Sequence, residues 1–326
     1  MARRLFLDAN IYLSFYLTGK DDLDELAKVA KLISDEEIVL FSNDQLKREV
    51  YRNREAKIAS GYDVLKSKNF GREFPKYCND YEETEEIRRL LKLVGKEHAK
   101  LMERVAEGIK NRSLNADIFI DGLFSIATEL GFEPDTIAKA KDRVAFGDPP
   151  GKRNSLGDAI HWQILLEHSG DGDLDIVSLD GDFTSPLSTS SISEFLFDEW
   201  KSKKHYGQVE LFSSLSDYTK ARFPEIRLSD EFKKDELVTK LVKSPNFSTT
   251  HDTIAKLNEF DHFTKGQIRM IFSALTNNQQ VNWICTDSDV LEFYKQFQMT
   301  AGHLDCSTLQ KAESELGLEA DYFIPF

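Results

Sequence analysis

Positive charge is what this 326-residue chain lacks most: 42 Lys and Arg stand against 56 Asp and Glu, a formal net charge of −14. Taken alone, that balance argues against a partner held through its phosphates, because such contacts come from Lys and Arg. Cysteine is scarce, and Cys78, Cys285 and Cys306 lie too far apart in sequence for a CxxC pair. A disulfide scaffold and a thiolate zinc site are therefore disfavoured, and a reduced, cytoplasmic setting fits best. No apolar run approaches the roughly 20 residues that a membrane helix needs. The N-terminus enters a strand at once, which leaves no room for a signal peptide. A GxxxxGK[ST] phosphate loop, a GxSxG nucleophile elbow and a HExxH pair are all missing. Gly170-Asp171-Gly172-Asp173 looks like a calcium loop only superficially, since the rest of an EF-hand is absent. There is no internal repeat and no low-complexity tract.

What remains is a chain with the means to fold. Hydrophobic residues make up 40% and charged residues 30%, which supports a real core and argues against disorder. Apolar runs at Arg4–Asp8, Ile38–Phe41, Leu174–Leu179 and Val209–Phe212 read as strands. Helices are expected from Asn10 (a good N-cap), over Asp21–Ser34, from a cap at Asp44 to about Ser60, over Ser155–His168 and over Leu215–Phe223. A long, charged helical stretch fills about Tyr81–Ala145, punctuated by Gly131, Pro134 and the run 147–151. Strands alternating with helices predict an α/β fold, a central parallel sheet flanked by helices.

Composition changes near Phe223-Pro224, so 1–224 reads as one domain, with a helical insertion over about 61–147. Residues 225–326 read as a small, mostly helical accessory domain. Its expected helices are Asp230–Val242, Thr264–Leu275 and Asp287–Phe297, with a turn at Ser244-Pro245-Asn246 and a short strand at Val281–Cys285. Trp283 and Phe293 are expected to be core residues rather than base-stacking ones.

Four acids stand at the ends of apolar runs. Asp8 and Asp180 close the first and third strands, Glu49 lies about a turn and a half into the helix after the second, and Asp158 lies in the first turn of its helix. In an open parallel sheet, strand C-terminal ends and the helix starts beside them meet on one edge. Carboxylates gathered there repel one another unless a cation neutralises them, and hard cations such as Mg²⁺ and Mn²⁺ prefer oxygen ligands. That points to metal-dependent chemistry on phosphate. Each acid also has an ordinary explanation. Asp8 can start a turn, Ser155 and Asp158 have capping-box spacing, Asp180-Gly181-Asp182 is a good turn, and Glu49 can pair with Lys47, Arg52 or Asn53. The four together weaken those explanations, and Gly157 leaves space for a close approach beside Asp158. Seven basic and three acidic residues between Lys47 and Lys68 give the Glu49 helix a local positive balance. Lys152-Arg153 precede Asp158. These basic residues are either a solvated face or a phosphate-steering one. His161, one turn after Asp158, lacks a second histidine and reads as packed or hydrogen-bonded.

LFLDANIYL at 5–13, REVYRNR at 48–54, NSLGDAIHW at 154–162 and VSLDGDF at 177–183 resemble, in order and context, the four signature regions of PIN-domain nucleases. The resemblance spans about residues 1–224, where VELFSSLSDYTKARFP looks like a typical close to that domain. It implies that Asp8, Glu49, Asp158 and Asp180 are metal-binding carboxylates, with Asp182 a further acid that cannot be ranked against Asp180. Asn10 matches a supporting hydrogen-bonding position, and Ser178 stands where relatives often have Thr. The implied activity is Mg²⁺- or Mn²⁺-dependent hydrolysis of RNA by an endoribonuclease, in a toxin, a defence effector or an RNA-processing factor. Arg52, Arg54, Lys152 and Arg153 are then phosphate-steering candidates. The C-terminal domain is a candidate surface for a protein partner or self-association. Two rivals stand beside this reading: a non-catalytic PIN-like scaffold, which the acidic net charge favours, and a structure-specific DNA nuclease, since the same chemistry cleaves either backbone.

Overall fold

The computed structural model describes residues 2–17, 20–68, 70, 73–150, 155–179 and 181–323, the side chains of 20–23 and 189–190 apart. Three fully buried residues, Leu5, Phe6 and Leu7, place the first strand at the centre of the molecule. The elements run β1 (Arg3–Leu7), α1 (Ala9–Ser14), α2 (Lys20–Ser34), β2 (Ile38–Ser42), α3 (Asp44–Lys66), α4 (Glu82–Asn111), α5 (Asn115–Ile126), β3 (Thr128–Glu129), α6 (Pro134–Phe146), α7 (Leu156–His168), β4 (Leu174–Val177), β5 (Thr184–Ser185), β6 (Ser188–Ile192), α8 (Glu194–Lys203), β7 (Val209–Phe212) and α9 (Leu215–Arg222). The main sheet is parallel throughout, in the order β3-β2-β1-β4-β7. Chain order runs outward from β1 in one direction to β2 and, on the other side, from β4 to β7. The reversal opens a crevice outside the carboxyl ends of β1 and β4, where side chains from both strands meet.

Several expectations are met closely. The apolar runs at 38–41, 174–179 and 209–212 are β2, β4 and β7, and the predicted parallel sheet carries helices around it. Other details differ for local reasons. The α1 cap is Asp8, whose Oδ1 accepts the Ala9 N–H at 2.7 Å, and not Asn10. The α3 cap is Asn43, which accepts the Leu46 N–H at 2.8 Å, and not Asp44. The insertion is not wholly helical: it returns to the sheet as β3, which pairs Phe41 with Thr128 and Ser42 with Glu129. The β5–β6 hairpin and α8 follow the fourth acidic segment without an earlier signal. Serine and threonine dominate the hairpin, so no apolar alternation marks it.

The apolar core has two parts. One wraps the sheet and includes Tyr12, Trp162, Trp200 and Tyr218, all fully buried. The other is formed by α10 (Leu228–Val242), α11 (Phe247–Leu257), α12 (Lys265–Asn277), α13 (Gln279–Asn282), α14 (Ser288–Lys295) and α15 (Cys306–Leu316). Here the expected strand at Val281–Cys285 is instead the end of α13 and the turn after it, because Asn278 accepts the Gln280 N–H and starts a helix there. Phe293 is buried as expected, but Trp283 is 63% exposed, resting edge-on against Phe247. A polar seam joins the two parts. The Lys31 ammonium lies 2.7 Å from Asp35 and 2.9 Å from Asp235, and Lys265 pairs with Glu37 at 2.8 Å. Among the described residues no helix is long and apolar enough to cross a membrane.

Candidate active site at the carboxyl edge of the sheet

Asp8 follows the last residue of β1 and is 4% exposed. Its backbone N–H still reaches the Val177 carbonyl at 3.0 Å, so its position is fixed by the β1–β4 pairing. Its carboxylate is held from several sides. Oδ1 accepts the Ala9 N–H, while Oδ2 accepts Asn10 Nδ2 at 2.8 Å and the Ser178 hydroxyl at 2.6 Å. Asn10 also donates to Ser178 Oγ at 3.2 Å and accepts the Leu179 N–H at 3.1 Å. One amide side chain thus stitches the end of β1 to the end of β4 and orients the buried acid between them.

Asp158 enters from the first turn of α7, and the Ser155 hydroxyl donates to its Oδ2. The capping-box spacing therefore yields a side-chain pair instead, since Ser155 makes no capping bond to the helix backbone. Burial pushes the Asp158 carboxyl up to about 6; Ser155 and His161 oppose the rise, and the charges of Asp8 and Asp182 add to it. Three acids from three segments thus lie within one another's field. Asp182 contributes a further sign of that crowding, because its Oδ1 is buried with no hydrogen-bond partner among the described residues.

Glu49 projects from α3 toward α7. Its Oε2 lies 3.2 Å from His161 Nε2, and His161 is fully buried against the Phe6 ring. The His161 hydrogen bond holds the Glu49 carboxyl below its ordinary value, against burial, and Arg52 helps. His161 is thus the packed, hydrogen-bonded histidine that its isolation in sequence implies, but its partner is an acid of the site. Glu49 does not pair with Lys47 or Asn53; Lys47 turns instead to Glu129 at 2.5 Å. Gly157 makes the Glu49 approach geometrically feasible: a Cβ there would stand 3.0 Å from Glu49 Oε2.

The basic candidates separate. Arg52 is exposed beside Glu49. Arg54 is 7% exposed and grips Asp117 through Nε at 2.6 Å and Nη2 at 2.7 Å, a buried fork that leaves it no face for a phosphate. Its expected steering role is corrected to a structural one. Lys152, Arg153 and Asp180 lie outside the described residues.

A clamp that the sequence did not reveal holds α7 from below. Glu199 of α8 accepts the Trp162 indole N–H at 2.7 Å and the guanidinium of Arg143 of α6, which also donates to the Pro149 carbonyl. Thr136 and Lys139 of α6 add bonds to Glu167 near the end of α7.

Among the described residues, no three His, Cys, Asp or Glu side chains close on one point where an ion would be held. Glu49 is turned onto His161, and Asp158 onto Ser155. The donor chemistry nonetheless suits a hard divalent cation. All candidate ligands are carboxylate oxygens, one of them a buried oxygen without a partner, and their mutual repulsion is what a cation would relieve. A profile of the PIN domain matches residues 5–183. No curated protein and no solved structure matches the chain.

Proposed function

The chain belongs to the PIN-domain family, whose members are generally metal-dependent nucleases, and from that premise we propose that it is a Mg²⁺- or Mn²⁺-dependent endoribonuclease hydrolysing RNA phosphodiester bonds. The observation that supports this most is the crowding at the sheet edge, where burial, with the added charges of Asp8 and Asp182, raises the carboxyl of Asp158. A fold keeps mutually repelling buried acids at a cost, and a cation offsets that cost.

In this reading Asp8 and Asp158 are the central ligands. Glu49, with Asp180 or Asp182, completes the set or orients the attacking water. A bound Mg²⁺ or Mn²⁺ would supply Lewis acidity toward that water and toward the phosphoryl oxygens. The protein's own part is positional. Asn10 and Ser178 fix the lone pairs of Asp8. His161 holds Glu49 ionised at a set distance from α7. Asp158, now bonded to Ser155, would give up that contact and any bound proton to hold the cation. Arg52, together with Lys152 and Arg153, would receive the phosphates on either side of the cut.

The test is cleavage of labelled single-stranded RNA and DNA by the full chain with Mn²⁺, Mg²⁺ or EDTA. Metal-dependent cutting of RNA in preference to DNA supports the proposal. Preferential cutting of DNA replaces it with a DNA nuclease, and no cutting of either by folded protein replaces it with an interaction scaffold.

A further inference from the structure

We propose that a cavity at the opposite end of the sheet binds a phosphate monoester carried on a nucleoside, with the phosphate on Arg4 and the base on Tyr206. This cavity is walled by Arg3, Arg4, Asp171, Gly172 and Tyr206, where β1 and β4 begin. Arg4 stands four residues before Asp8 on β1, about 13 Å away at the rise of a strand, so the cavity is separate from the acidic edge.

One donor in its wall lacks an acceptor among the described residues. The Arg4 side chain makes no hydrogen bond or ion pair among the described residues, and its Nη1 is buried. It packs on the backbone of Gly172, whose added Cβ would lie 3.0 Å from that nitrogen. Lys204, outside the wall, is 6% exposed, and its ammonium lies 5.5 Å from the centre of the Trp200 ring. Trp200 is fully buried, and its indole N–H has no acceptor among the described residues. Gly207 lets the Trp200 indole lie beside Gly172, because a Cβ on it would meet the Gly172 carbonyl at 2.2 Å and Trp200 Nε1 at 3.0 Å. Burial pushes the Lys204 ammonium down; Asp171 opposes this and the charge of Arg4 adds to it. A guanidinium in the field of a second cation, with one buried N–H unmatched, is what an oxyanion relieves, and a buried donor without a partner costs about 1–3 kcal/mol.

The acids on the wall narrow the ligand. Asp175 is matched by Arg222 at 2.6 Å and by Arg3 at 3.7 Å. Asp173 accepts the Gln208 N–H at 2.9 Å. Asp171 is exposed and makes no hydrogen bond among the described residues, so it repels a bare dianion but accepts from hydroxyl groups. A ribose diol suits it, as an acid beside a phosphate site commonly binds ribose. Tyr206, 91% exposed at the mouth, offers a ring on which a base stacks.

Trp162, Trp200 and Trp283 give three indole N–H signals, assigned by single Trp→Phe variants. The full chain in EDTA is titrated with adenosine 5′-monophosphate, a 5′-phosphorylated trinucleotide, inorganic phosphate and adenosine. A saturable shift of Trp200, with Trp283 unmoved, is expected for the monophosphate, a weaker one for phosphate and none for adenosine. Arg4→Met should weaken monophosphate binding by about tenfold or more. Tyr206→Ala, at a position too exposed to affect folding, should weaken the nucleotide and leave phosphate unchanged. A trinucleotide that matches the mononucleotide identifies a chain end as the ligand; one that fails identifies the free nucleotide. The proposal is overturned if Trp200 is unmoved by every phosphate probe, or if Tyr206→Ala leaves nucleotide binding intact.

Discussion

A methyl group on residue 157 would stand 3.0 Å from the Glu49 carboxylate, closer than nine in ten such contacts. Alanine in place of a helical glycine ordinarily stabilises by about 0.5–1 kcal/mol. Gly157→Ala should therefore leave the unfolding midpoint unchanged or raised while cleavage falls by about tenfold through displaced Glu49. Calorimetry beside an RNA cleavage assay reads both, and a variant of full activity would remove Glu49 from the account. Asp158 gives a prediction with a defined sign. Its carboxyl rises from 3.8 to about 6, so its ionisation costs the metal-free fold nothing below the lower value and the full amount above the higher one. Asp158→Asn should then stabilise the EDTA-treated protein by about 1–3 kcal/mol at neutral pH, with the gain fading as pH falls toward the lower value. Urea titrations across that range test this, and a gain independent of pH would contradict it. These acids were legible in the sequence because each follows an apolar run at a strand end or helix start. Arg54 was misread, since a basic residue looks the same in sequence whether it faces solvent or a buried Asp117 some sixty residues on. The His161–Glu49 bond was hidden in the same way by its span of 112 residues.

Elements differ in how much of their placement is local. The strands β1, β2 and β4 announce themselves as short apolar runs because a central parallel strand is buried on both faces, while β7, at the edge, alternates buried Val209 and Leu211 with exposed Glu210. Edge strand β3, two exposed residues long, and the serine-rich β5–β6 hairpin carry no such pattern. The α6–α7–α8 clamp is tertiary altogether. Glu199 has to be present for Nη2 of the buried Arg143 and the Trp162 N–H to be matched. Glu199→Ala should destabilise by about 3–5 kcal/mol, because it strands a 6% exposed guanidinium. The loss is expected in the denaturation midpoint, with cleavage by the remaining folded protein reduced as α7 loosens. A loss below about 1 kcal/mol would mark the clamp as a surface pair.

For the molecule as a whole, the net charge of −14 and a nucleic-acid substrate pull in opposite directions. A basic protein loses affinity for RNA as salt rises. Here the net charge repels RNA at long range, and the local basic stretch on α3, with Lys152 and Arg153 in sequence, opposes that repulsion. Raising ionic strength from low values should therefore speed RNA capture until the Debye length falls below about 10 Å. The dependence of kcat/KM on salt reads this directly, and a steep monotonic fall would contradict it. The most direct test of the acidic edge is RNA cleavage by the wild-type chain beside Asp8→Asn in Mn²⁺. Asparagine keeps the size of the buried side chain and removes its charge, so the account predicts a folded protein whose metal-dependent cutting falls by about a thousandfold or more. Undiminished cutting by folded Asp8→Asn would contradict it.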